Sequence, residues 1–259
     1  MSLAVASPGV SVAPSLASAH PSGAYWARFL MKQSSGNIED SSGNAHTAII
    51  EADLVTAGTA WSANAGVFTC LSDAAGGNGG ANIPNAMIDI DLRTYSTVWF
   101  ARVLIPSSVT AAEVIMGYGA SSVSGLRMNK RATGHELQIQ INRGSGQGYG
   151  LANGLALNDD AFHTIAMGID GPANLAYSWV DGAIQLSAEP LTAAGTDSGL
   201  PATANFAFGH EGLTGTTIPA QFDVVQIFRF LGNLPARLAA GIAFLQANRY
   251  DWMPASIWP

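Results

Sequence analysis

Cysteine and charge are both scarce in this sequence, and each scarcity excludes something. Cys70 is the single cysteine of 259 residues, so neither an intrachain disulfide nor a cysteine-rich zinc site can form. It lies in "GVFTCLSD", a strand-like run, and reads as a small buried apolar residue. Charged residues make up 11 % of the chain, against roughly 25 % in an average soluble domain. Solubility must therefore rest on Gly, Ser, Thr, Asn and Gln, as in many all-β proteins and in proteins whose surface is shared within an assembly. Cations are the scarcer sign, 11 Lys and Arg against 18 Asp and Glu, for a formal net charge of -7. A nucleic acid or anionic membrane is therefore not an expected partner, because no basic patch could neutralise phosphates. The one basic cluster, "RMNKR" from Arg127 to Arg131, is split between two faces by strand alternation.

Long hydrophobic runs are missing as well. No segment approaches the ~18 apolar residues of a membrane span. Pro8 and Pro14 interrupt the opening apolar stretch and the first cation is Arg28, so residues 1–24 read as an extended arm rather than an export signal. The five His are scattered without an HExxH or paired spacing, which leaves zinc without support. "GSGQGYG", Gly144 to Gly150, is not followed by a helical pattern and reads as a β-turn rather than a phosphate loop.

What the chain does have is period-2 alternation. "AYWARFLM", "GVFTCLS", "MIDIDL", "STVWFARVLI", "AEVIMGYG", "SGLRMNKR", "HELQIQINR", "GYGLANGLALND", "ANFAFGH" and "QFDVVQIFRF" all read as strands, while "DAAGGNGGANIPNA" reads as a Gly-rich loop. "STVWFARVLI" is apolar on both faces, as a central strand should be. In "HELQIQINR", Leu137, Ile139 and Ile141 share one face and Glu136, Gln138, Gln140 and Asn142 the other, which makes one side buried and one wet. "FHTIAMGIDGPANLAYSWVDG", Phe162 to Gly182, is two apolar runs each ending in Asp-Gly. His163 heads the first run, and Asp170 and Asp181 read as turn formers beside their glycines rather than as partners in a triad. Only "NLPARLAAGIAFLQAN" has helical spacing, with Asn233 as cap and Pro235 in the first turn, giving a helix over about 233–248. The apolar tail 249–259 is expected to lie on the domain or a neighbour. Many short strands and one late helix predict an all-β protein: a two-sheet antiparallel β-sandwich of jelly-roll type with one short C-terminal helix, spanning 25–248.

Four stretches carry a family likeness. "DSSGNAHT" (Asp40 to Thr47) resembles a "D-x-SGN-x-H" loop, and "FHTIAMGIDG…AYSWVDG" resembles a "WH-x-V-A…DG…YVDG" hairpin with Phe162 in place of Trp. "FAFGHEG" and the closing "FDVVQIFRFLGNLPARLAAGIAFLQAN" resemble the strand and the strand-plus-helix that follow in the same order. Together they resemble laminin-G-like jelly rolls of the concanavalin A-like lectin/glucanase superfamily. The resemblance implies two stacked sheets, one concave, with loops at the rim; it leaves function open, because the fold hosts lectins, glycosidases, adhesion modules and viral coat proteins.

The candidate sites follow from both readings. Arg127, Asn129, Gln138, Gln140 and Asn142 form the wet face, where amides and a guanidinium suit sugar hydroxyls and Tyr118 or Tyr149 could stack on a pyranose. Calcium is the one candidate cofactor, and none is required; the resemblance implies rim sites, for which Asp40, Asn44, Asp73 and Asn78 sit in suitable loops. Superfamily members that cleave β-glucans carry "E-x-D-x-E" on one strand, and the nearest match, Asp89 and Asp91, lacks the third acid, so no catalytic residue is expected. The leading expectation is a non-enzymatic structural or adhesion subunit of a virus particle: a tailed-phage decoration, fibre or baseplate-associated protein, in the virion. It would be a homo-oligomer, a trimer being expected, touching other virion proteins and surface glycans. A secreted, extracellular carbohydrate-binding module is the alternative, and an endo-glycosidase the third choice.

Overall fold

A computed structural model of the chain describes residues 25–31, 35–52, 66–71, 79–86, 95–120, 124–143, 149–191, 204–210 and 219–231. The expected arm 1–24, the helix over about 233–248 and the tail 249–259 lie outside the described residues, as does the "MIDIDL" strand.

Fourteen strands stand among the described residues. They are β1 (Tyr25–Leu30), β2 (Ile49–Ile50), β3 (Phe68–Thr69), β4 (Ala81–Ala86), β5 (Tyr95–Leu104), β6 (Glu113–Ala120), β7 (Ser124–Lys130), β8 (Glu136–Arg143), β9 (Tyr149–Ala156), β10 (Phe162–Asp170), β11 (Leu175–Val180), β12 (Ala183–Pro190), β13 (Ala204–Phe208) and β14 (Gln221–Leu231). They form two seven-stranded sheets. Sheet one runs β1-β14-β5-β10-β11-β12, with β3 also on β14; sheet two runs β2-β4-β13-β6-β7-β8-β9. Every pairing is antiparallel. This is the all-β sandwich that the alternation predicts.

The two sheets meet through aromatic side chains. Phe29 of β1 packs edge-on against Phe208 of β13 at 5.2 Å, and Trp99 of β5 against Phe206 at 5.1 Å. Phe206 and Phe208 meet each other at 5.4 Å, and Phe222 of β14 joins Phe208. Each such edge-to-face pair adds about 0.5–1.5 kcal/mol beyond its buried area. The Trp99 indole N–H donates to Thr97 Oγ1, whose own hydroxyl donates to the Phe228 carbonyl, so the polar tip of the largest core ring is satisfied. Cys70 is 1 % exposed with its thiol toward the Phe208 carbonyl, and burial holds its pKa well above the ordinary thiol value.

β5 sits between β14 and β10. Trp99, Ala101 and Val103 enter the core between the sheets, while Val98 and Phe100, on its other face, are buried too. That is why its sequence shows no polar side.

One expectation is corrected. The end of the Gly-rich stretch, "ANIPNA", is not loop but β4, seated between β2 and β13. Its Pro84 is exposed and falls where the register slips between Ala86↔Ala204 and Ile83↔Phe206. Proline is tolerated in a sheet at such a bulge, where no ladder N–H is required.

Candidate functional site

The outward face of sheet two is built by the meander β6–β7–β8. Register places Arg127 opposite Gln140, Asn129 opposite Gln138 and Gly125 opposite Asn142. Leu126, Met128, Leu137, Ile139 and Ile141 take the intervening positions and are buried in the core. The alternation read in the sequence therefore puts Arg127, Gln138 and Gln140 outward, where all three are half-buried.

These side chains interlock. Arg127 donates through Nε (2.9 Å) and Nη2 to Gln140 Oε1. Asn129 Nδ2 donates to the same Gln140 Oε1 at 3.1 Å and to Gln138 Oε1 at 3.3 Å. Asn129 is 5 % exposed, and its Oδ1 is buried with no hydrogen-bond partner. Asn142 lies on the same face but is fully buried, so it belongs to the support of the patch and not to its surface.

The two tyrosines assigned to this face do not serve it. Tyr118 is a correction: it pairs with Leu126, one position out of phase with Gly117↔Arg127, and is 0 % exposed within the core. Tyr149 pairs with Ile141, whereas Gly150 is opposite Gln140; the side chain of Tyr149 lies outside the described residues.

The calcium candidates divide in the same way. The Asp40 carboxylate is fully buried and already accepts five hydrogen bonds. Oδ1 receives the amides of Arg28 (2.9 Å) and Ser42 (2.8 Å); Oδ2 receives Ser42 Oγ (2.8 Å), the His46 amide (3.1 Å) and His46 Nδ1 (3.2 Å). Burial raises the Asp40 pKa, but these donors together outweigh it and hold the carboxyl below its ordinary value. Asp40 is thus the internal tie of the "DSSGNAHT" loop, closed by positive φ at Gly43 and Ala45, and its lone pairs are committed to that loop. Asn44 is exposed, its amide donating to Ser42 Oγ. Asp73 and Asn78, like Asp89 and Asp91, lie outside the described residues. Among the described residues no three His, Cys, Asp or Glu side chains converge as a metal would require.

One polar cluster was not foreseen, and at a second the reading of Asp181 as a turn former alone is corrected, because it also pairs with His163. Glu51, just past β2, accepts from His210 Nε2 (2.9 Å), Asn82 Nδ2 (2.8 Å) and the Gly80 amide (2.9 Å). Burial raises the Glu51 pKa, yet His210 and the other donors outweigh it and hold the carboxyl low. A Cβ on Gly80 would meet the Phe208 carbonyl at 2.2 Å, so only glycine lets β4 approach β13 this closely. At the opposite end of the β10 hairpin, His163 lies between Asp181 (Nδ1–Oδ2, 2.6 Å) and Asp159 (Nε2–Oδ1, 2.9 Å). Asp170 is at the far end of β10, where its Oδ1 accepts the Ala173 amide and shapes the turn. Burial lowers the His163 pKa, but the two carboxylates overcome that and raise it. Asp181 does form its turn, with φ of 50° followed by 80° at Gly182, and it also holds the histidine. The acid pair Asp159-Asp160 ahead of the strand is the sequence signal that could have disclosed the second contact.

No protein-family model matches the chain, and no curated protein matches it in sequence. Solved structures match its fold. The binding domain of botulinum neurotoxin serotype G superposes with a TM-score of 0.59 at 11 % identity, over 87 % of this chain and 51 % of that one. The serotype D binding domain gives 0.56 at 12 % identity, over 87 % and 51 %. Trypanosoma rangeli sialidase, in complex with sialic acid, gives 0.59 at 13 % identity, over 95 % and 35 %. The chain therefore spans about half the length of the toxin domains and about a third of the sialidase. At these identities the likeness is one of fold alone, a two-sheet antiparallel β-sandwich.

Proposed function

We propose that this chain is a non-catalytic carbohydrate-binding module that contacts surface glycans through the outward face of β7 and β8. The observation that carries the reading is the interlocked set Arg127–Gln140–Asn129–Gln138. Planar amides and a guanidinium held in register are the groups that recognise sugar oxygens, and their mutual hydrogen bonds fix them before a ligand arrives. The same groups argue against hydrolysis at this face: most glycosidases work with two opposed carboxylates, whereas amides and guanidinium neither give nor take a proton near neutral pH. The structural neighbours, toxin binding domains and a sialic acid-bound sialidase, are in keeping with it.

The virion role is part of this proposal at a finer level. Charged residues at 11 % suit a surface shared with neighbouring subunits, so the module is read as an oligomeric adhesion or decoration subunit of a particle, and an extracellular lectin is the alternative. The deciding experiment for carbohydrate binding is a glycan array probed with the full-length chain and with Gln140→Ala. Saturable signal lost in the variant is the expected result. Binding that survives the substitution, or no binding to any glycan, overturns the assignment to this face.

A further inference from the structure

The hydrogen bonds of this patch fix which way each amide faces, and that orientation bears on the class of ligand. Arginine has only donors, so the atom of Gln140 that meets Arg127 must be the oxygen. With that oxygen set, the atom of Asn129 that meets it must be the NH2 group. The same NH2 then requires the oxygen of Gln138. One arginine thus sets three amide orientations in sequence, at positions where oxygen and nitrogen could otherwise be exchanged.

The consequence is a polarity. The oxygens of Gln138 and Gln140 turn onto Asn129 and Arg127, so their Nε2 groups point away from those partners; both residues are half-buried, and neither Nε2 is among the buried atoms left without a partner. Asn129 Oδ1 is buried beneath them. The rim around Gln138 and Gln140 is therefore rich in N–H donors and carries the Arg127 guanidinium, while the Glu136 carboxylate farther along the same face of β8 is paired with Arg131 at 3.6 Å. A neutral sugar, whose hydroxyls each donate as well as accept, finds few acceptors there. An anionic substituent only accepts, and hydrogen bonds to a charged acceptor are about twice as strong as neutral ones.

We infer that the ligand of this face is an acidic saccharide, bound through a carboxylate or sulfate that accepts from Gln138 Nε2 and Gln140 Nε2 beside Arg127. This rests on the carbohydrate-binding reading above and narrows it. The test is calorimetry and amide NMR on the full-length chain with three probes of matched length: an oligogalacturonate, a sulfated galacto-oligosaccharide and the neutral galacto-oligosaccharide. The key variant is Gln140→Glu, which keeps the inward acceptor for Arg127 and replaces the outward donor by an acceptor.

At least one acidic probe should bind tenfold or more tighter than the neutral one, shift the side-chain amide resonances of Gln138 and Gln140, and lose at least tenfold in Gln140→Glu at unchanged thermal stability. Which acidic probe wins separates carboxylate from sulfate. Neutral binding equal to acidic, still abolished by Gln140→Ala, would overturn the acidic class and leave carbohydrate binding standing. If no probe shifted those amides, both readings would fall. Acidic binding indifferent to Gln140→Glu would place the site elsewhere and overturn the inference.

Discussion

Replacing Asp40 with alanine would leave five donors around a fully buried carboxylate position without their acceptor. A loss of roughly 2–4 kcal/mol is expected in chemical denaturation, with Asp40→Asn intermediate because one amide oxygen remains. Its pKa is depressed on folding, so its contribution is present above the ordinary carboxylate value and fades as pH falls through the folded one. His163 works with the opposite sign. Both ring nitrogens face carboxylates, which favours the imidazolium, and its pKa is raised. Its contribution is therefore full below the unfolded value of about 6.5 and is lost as pH rises through the folded value. His163→Asn should cost roughly 1–2 kcal/mol near pH 6, since Asp159 and Asp181 are partly exposed and water screens them. The stability gap between wild type and variant should narrow toward pH 8.5, as urea midpoints across pH would show. A gap independent of pH would mean that folding leaves the His163 pKa unshifted, and a gap that widened with pH would mean a ring held neutral.

Among the elements, the β11–β12 turn permits the sharpest dissection, because Asp181 both shapes the turn and holds His163. Gly182, at φ 80°, should lose about 1 kcal/mol as alanine with no change in the pH profile. Asp181→Asn keeps a residue that tolerates φ of 50° but removes one of the two charges on His163, so it should weaken the pH dependence, leaving the share of Asp159, while keeping the hairpin. Backbone amide NMR of the two variants separates these effects. The hairpin itself was legible in the sequence, because Asp-Gly and alternation are local signals. So was the split of β8 into a core face and a polar face. β4 was not, since Ala, Asn and Pro have low strand propensity and the segment is a strand only because β2 and β13 flank it. Tyr118 was misassigned for a related reason. Ile115 is an extra residue between Val114↔Asn129 and Met116↔Met128, and that bulge hides which residues of β6 face inward. The inward or outward turn of each amide around Asn129 could not be read from sequence at all, because strand order and register decide it.

For the whole molecule, the open quantity is copy number. If 11 % charge reflects surface shared with other subunits, light scattering after size exclusion should give a mass about three times the 26.7 kDa of one chain. A stable monomer at that mass would remove the assembly part of the proposal and leave the glycan-binding module intact. The strand order has a further consequence. β14 pairs with β1, Tyr25 opposite Phe228, and lies against β5. Among the described residues the first strand and the last are thus neighbours, with the rest of both sheets between them in time. At about 5–20 residues per second, β1 would wait roughly 10–40 s on the ribosome before its partner emerged. Until then Phe29 has only part of its packing, and sheet one is open at the place where β14 belongs. Nascent chains stalled before residue 221 should be open to protease and bound by chaperones, whereas chains extended far enough for β14 to leave the ribosome should resist the protease.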